Sequence, residues 1–249
     1  MNVSLYQAAA AMNAQSRWQE MITQNLSAGT TPGFRRQDVS FADVAAASPL
    51  DGNGNTSANF MIPVAVASTS FQQGQLRPTG GSLDFAVEGS GFFTVQLPNG
   101  DRAYTRDGEF QLNAKSQLVT KEGYPVLGNG GPVQFNPGNP AAISISPTGQ
   151  ISQGGDIKGH LQVVTFSNPS QLTPTDYGYL IADQPNMNPT PVTADTAVRQ
   201  GFLEAPNSSP TGEMSGLIDS MRIFEANQKV LQMQNDRMGQ TITSLGGTS

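Results

Sequence analysis

The sequence predicts a mainly β central domain with long N- and C-terminal α-helices forming an antiparallel coiled-coil module. Three observations carry that expectation: a three-and-four spacing near the start, an unbroken heptad near the end, and a turn-rich middle with strand-like segments.

At the start, Leu5, Ala8, Met12, Gln15, Gln19, Ile22 and Leu26 fall on one stripe of a helix. Ala8 to Ala11 keep that stripe narrow, and Gly29 and Pro32 are the expected stops, so the first helix covers roughly residues 3 to 28. At the end, Met214, Leu217, Met221, Phe224, Gln228, Leu231, Asn235, Met238, Ile242 and Leu245 keep an a/d rhythm without a slip. A helix beginning near Thr211 and ending before Gly246 spans roughly 50 Å at 1.5 Å per residue. The polar Gln228 and Asn235 at a positions cost stability in a sealed core and specify register in a helical assembly.

Between the helices, Asp84 to Val87, Phe92 to Leu97 and Leu161 to Phe166 have strand composition. Asn99-Gly100, Asp107-Gly108, Asn129-Gly130 and Thr148-Gly149 supply turn chemistry between them. Residues 48 to 58 and 183 to 191 combine Pro, Gly and Asn with little apolar content and read as loops. The expected divisions are residues 1–31, an N-terminal helix; 32–82, an extended linker with a loop; 83–200, a β-rich domain; and 201–249, a coiled-coil helix.

Composition narrows the function. The chain has 249 residues, 37% hydrophobic and only 13% charged, with 27 Gly and 17 Pro, which disfavours one large core. A net charge of -6 gives a phosphate-binding surface little to work with, so nucleic acid is not an expected partner. No Cys is present, which excludes disulfides and thiolate metal sites. The N-terminal segment lacks a basic region followed by an apolar core, so no cleaved signal is expected, and no segment is long and apolar enough for membrane insertion.

Candidate chemistry is sparse. His160 is the single histidine, with no Cys to pair as a nucleophile. Asp101, Asp107 and Glu109 could form a glycan-cleaving carboxylate pair, but interleaved Arg102 and Arg106 favour charge pairing on an exposed hairpin. Asp51-Gly52-Asn53-Gly54-Asn55 begins like a calcium loop, yet Thr56 and Ile62 stand where Gly and Glu are required. Gly89-Ser90-Gly91 lacks the third glycine of a dinucleotide fingerprint, which Thr94 replaces. No catalytic residue, metal, cofactor or small-molecule substrate is expected. A wall-binding or peptidoglycan-processing β protein is the alternative, but the only tryptophan, Trp18, sits on the first helix and not in a β groove.

Four motifs, in order, resemble those of the bacterial flagellar rod and hook axial proteins. They are Asn25-Leu26-Ser27-Ala28 with Thr31-Pro32-Gly33-Phe34-Arg35; Gly89-Ser90-Gly91-Phe92-Phe93; Tyr104-Thr105-Arg106-Asp107-Gly108-Glu109-Phe110; and Gly201-Phe202-Leu203-Glu204-Ala205-Pro206-Asn207 leading to Phe224, Glu225, Asn227 and Lys229. Ser27, Ala28 and Pro206 depart from the usual pattern. The short spacing from Phe34 to Phe85 looks most like the proximal-rod protein of the F type, with the distal-rod or hook type as alternative. The resemblance implies a structural subunit of the periplasmic rod that joins copies of itself and other rod subunits. It also implies export by the flagellar type III apparatus. The expected assembly contacts are the stripe of Leu5, Met12, Ile22 and Leu26 and the a/d residues of the last helix.

Overall fold

The structure is a computed structural model, which describes residues 3–46, 60–139, 141–175, 178–183, 187–193 and 195–246. The calcium-like loop at 51–55 lies outside the described residues, as does part of the 183–191 loop. The chain divides into two compact units. One comprises Met1–Ser27, Gln37–Thr69 and Ser209–Ser249; the other comprises Ala28–Arg36 and Ser70–Ser208.

The first unit holds helix α1 (Val3–Ser27), strands β1 (Gln37–Ala46) and β2 (Phe60–Thr69), and helix α2 (Pro210–Gly246). Helix α2 begins where Ser209 accepts from the Glu213 amide at 2.9 Å and Pro210 presets the first turn. Strands β1 and β2 form a two-stranded antiparallel ribbon pairing Gln37 with Thr69 through to Ala46 with Phe60. Ribbon and α1 pack together, with Trp18 edge-on to Phe41 at 5.9 Å.

The expected antiparallel coiled coil is absent. Helix α1 has 25 residues against 37 in α2, so the ends do not supply two long matched helices. Where the helices touch, polar and small groups take part beside apolar ones. Gln15 Nε2 donates to the carbonyl and hydroxyl of Ser220 at 2.9 and 2.8 Å, and Asn25 Nδ2 donates to Glu213 at 3.4 Å. Gly216 faces Ile22. Met214 and Met221, expected at the seam, are 57% and 51% exposed. The protected stripe of α2 instead runs through Glu213, Leu217, Ser220, Phe224, Asn227, Leu231, Gln234 and Met238. The expected a positions Met214, Met221, Gln228 and Asn235 are exposed, and Glu213, Ser220, Asn227 and Gln234, each one residue earlier, take their place. The apolar period alone cannot see this, because Ser220 and Glu213 are held on the seam by hydrogen bonds to Gln15 and Asn25 and not by hydrophobic knobs.

The second unit is the β-rich one. It includes β3 (Leu76–Pro78), β4 (Phe85–Glu88), β5 (Phe92–Gln96) and β6 (Arg102–Thr105). Strands β5 and β6 lie at the centre of a six-stranded sheet, flanked by 180–181 and 173–174 on one side and by 163–165 and 190–191 on the other. Side-chain alternation assigns the faces. Phe93, Val95 and Ala103 join Phe85, Val87, Leu118, Val126 and Ile151 in one core. Phe92 and Tyr104 join Val164, Phe166, Leu172 and Leu180 in a second core on the other face. Residues 197–200 pair antiparallel with β4, and 202–204 with β3, so the unit's last strands close against its first.

Candidate functional site: a buried ion triad that joins the motif segments

Within the β-rich unit, three separate motifs converge on Glu204, whose side chain is fully buried. A carboxylate removed from water needs strong partners, and Glu204 has two guanidinium groups. Arg35 Nη1 lies 2.8 Å from Oε1 and Arg106 Nη1 lies 3.0 Å from Oε2. Oε1 also accepts from the Gly74 amide at 2.7 Å. Arg35 reaches on to the Gln72 carbonyl at 2.5 Å, while Arg106 donates to the carbonyls of Val87 at 3.1 Å and Gly89 at 2.6 Å. The Arg106 guanidinium sits 5.1 Å from the centre of the Phe92 ring.

Burial pushes Arg106 down to about 10, with Glu204 opposing the fall and Arg35 adding to it; burial also lowers Arg35. Both remain cations at neutral pH. The expected pairing of Arg106 with neighbouring carboxylates on an exposed hairpin is thus corrected. Arg106 is 4% exposed and turns inward to a residue 98 positions away. The Arg-Asp-Gly stretch concealed this because its local charges suggest a local pair.

The backbone around the triad is equally specific. Gly33 takes a φ of +68° and donates its amide to the Glu204 carbonyl at 2.7 Å; an added Cβ would meet the Arg106 carbonyl carbon at 2.2 Å. Gly108 is a close crossing and not the simple turn its dipeptide suggests, since a Cβ there would stand 1.6 Å from the Phe85 carbonyl oxygen. Asn207 accepts from the Arg36 amide at 2.6 Å and donates to the carbonyls of Ser70 and Gln72 at 2.9 and 3.0 Å.

The remaining motif residues have varied settings. Phe93 is fully buried and Phe92 is 5% exposed, on opposite sheet faces. Gly89 and Gly91 flank the turn into β5, and Gly201 separates the two closing strands. Thr31, Pro32, Phe34 and Leu203 are half-buried. In the helical unit, Asn25 is 2% exposed, donating to the Gln37 carbonyl at 2.8 Å and accepting its amide at 2.9 Å, which fixes the first residue of β1. Ile22 is buried; Met12, Leu26, Leu217, Phe224, Asn227, Leu231 and Met238 are half-buried; Glu225, Gln228, Lys229 and Asn235 are exposed. The side chains of Leu5, Ile242 and Leu245 lie outside those described.

The carboxylates considered for glycan cleavage serve separate local structures. Asp101 accepts from Asn99 Nδ2 at 2.7 Å, Glu109 pairs with Lys121 at 2.7 Å, and Asp107 accepts from the Glu109 amide at 2.9 Å. Burial raises Asp107 to about 6, the backbone hydrogen bond opposing and the Glu109 charge adding to the rise. Tyr179 donates to Glu122, and burial followed by that hydrogen bond raises it well above the usual phenol range. His160 is half-buried at the end of strand 156–160, its carbonyl accepting from the Asn129 amide at 3.0 Å.

This chain matches two family models: the flagellar hook protein FlgE/F/G D1 domain over residues 86–153, and the flagellar basal body rod FlgEFG protein C-terminal over residues 199–245. It is 31% identical over 247 residues to the flagellar basal-body rod protein FlgF of Caulobacter vibrioides, covering 99% of both chains. It is 32% identical over 252 residues to FlgF of Mesorhizobium japonicum, covering all of both. FlgG of Buchnera aphidicola from Acyrthosiphon pisum is 33% identical over 262 residues, with 97% of this chain and 99% of the relative covered. The triad takes Arg106 and Glu204 from the two matched regions and Arg35 from the N-terminal motif, and together with the full-length kinship this places the chain in the flagellar basal-body rod protein family, F type, as a structural subunit of the rod.

Proposed function

We propose that this subunit polymerises in the proximal rod with copies of itself and other axial subunits, through surfaces of α2 and the β1–β2 ribbon, and that it catalyses no reaction. The observation that carries this reading is the distribution of exposed apolar side chains. Met214, Ile218 and Met221 follow an i, i+4, i+7 row on α2, and Ile223, Val230 and Met233 form a second row on the opposite flank of the protected stripe; all are 42–57% exposed. On the ribbon, Val44, Val64 and Val66 share the face opposite Phe41 and are 37–49% exposed. Apolar rows on both flanks of one helix suit an element packed between neighbours on two sides.

Delivery through the flagellar type III apparatus without a cleaved leader, to a periplasmic rod, belongs to the same proposal. Exposed side chains make a clean test, because changing them leaves the subunit's own packing intact. Met214→Glu combined with Met221→Glu should leave the melting temperature of the purified protein unchanged yet remove the subunit from isolated basal bodies and stop swimming. Normal incorporation of that variant would refute the proposal.

A further inference from the structure

A cavity of about 230 Å³ opens beside the triad, lined by Phe71, Gln73, Ser90, Phe92, Phe166 and Arg106 among others. Its chemistry is unusual in pairing aromatic walls with a buried cation. Arg35 and Arg106 bring two positive charges to the cluster and Glu204 one negative, leaving a surplus of one positive charge. Nε of Arg106, and Nε and Nη2 of Arg35, are buried with no acceptor among the described residues. A buried charge without a counter-charge is strongly unfavourable, so the cluster favours an added anion. The walls favour a ligand whose carboxylate is carried on an apolar stem, since the Phe71 and Phe166 rings lie 6.1 and 6.2 Å from that of Phe92, which itself sits 5.1 Å from the guanidinium.

We infer that this cavity is a socket for an acidic side chain of an adjoining rod subunit, which balances Arg106 and joins the assembly contact to the triad that holds the β-rich unit together. The inference rests on the subunit reading above and names one contact within it. Charge complementarity selects the occupant: this chain itself carries 19 acidic against 13 basic residues, so an adjoining copy presents carboxylates in excess.

Phenylacetate serves as the probe, with the neutral benzyl alcohol as its control, titrated into the purified full chain near neutral pH. Side-chain Nε and backbone amide signals are followed by NMR. Saturable shifts centred on Arg106, Ser90 and Phe166 are expected, with benzyl alcohol weaker by about tenfold or more. Thr165 also lines the cavity, and Ser90→Glu and Thr165→Glu, which place a competing carboxylate at its wall, should each weaken phenylacetate by about tenfold with an unchanged melting temperature. No saturable shift, equal binding of benzyl alcohol, or full affinity in both folded variants would overturn the socket. In cells, both variants should reach the rod in reduced amount. Normal incorporation alongside lost phenylacetate binding would overturn the subunit as occupant and leave a small carboxylate in its place. The Met214/Met221 double variant tests polymerisation independently, because it touches no residue of the cavity.

Discussion

Replacing Asp107 by Asn should stabilise the β-rich unit at neutral and alkaline pH and do nothing in acid. Asp107 stands behind the turn into Gly108, facing Glu109, Lys121 and Glu122, and burial raises it from 3.8 to about 6. A group whose folded value is raised contributes stability that is complete below the unfolded value and lost as pH rises through the folded one. A rise of that size corresponds to about 2–3 kcal/mol, with the upper figure reduced because the side chain is only partly withdrawn from water. The Asn side chain keeps the oxygen that accepts the Glu109 amide at 2.9 Å and removes the charge. Urea unfolding of both proteins across pH supplies the test. The difference in unfolding free energy, variant minus parent, should be near zero at about pH 3, rise between about pH 4 and about pH 6, and level off at about 2–3 kcal/mol by about pH 7. A difference that stays flat across that window would refute the assignment of the strained carboxylate to Asp107.

Two further substitutions probe the motif residues. Glu204→Gln leaves Arg35 and Arg106 buried without their counter-charge and should destabilise the β-rich unit by about 3–5 kcal/mol, read as a fall in the urea midpoint at constant slope. Asn25→Ala strips both hydrogen-bonding groups from the Gln37 backbone and should cost about 1–3 kcal/mol, with amide exchange accelerated first at Gln37 and its ribbon partner Thr69.

The sequence carried much of this molecule in its periods and punctuation, and failed where long-range polar contacts decide. The β-rich middle was visible because Phe92-Phe93-Thr94-Val95 alternates between two cores, and both faces of that strand are apolar. The helix start expected near Thr211 falls one residue from Pro210, where α2 begins. The coiled coil was misread because Met214 and Met221 keep the heptad spacing with Leu217 and Phe224, while the seam includes Ser220 bonding to Gln15 and Glu213 to Asn25. Partners 188 and 205 positions apart leave no local trace. Resemblance singled out Arg35 and Glu204 without revealing that they bind one another, and Arg106 was obscured by the charges beside it.

The central claim, that exposed apolar rows on α2 are faces between subunits, is tested most directly inside assembled rods. A photo-crosslinking amino acid placed at Met221 or at Val230 samples one flank each, and both positions are solvent-exposed in the single chain. Irradiation of intact basal bodies followed by mass spectrometry should give covalent adducts between this chain and axial subunits, its own copies included, from both positions. Incorporated protein that yields no intersubunit adduct at either position would contradict the account.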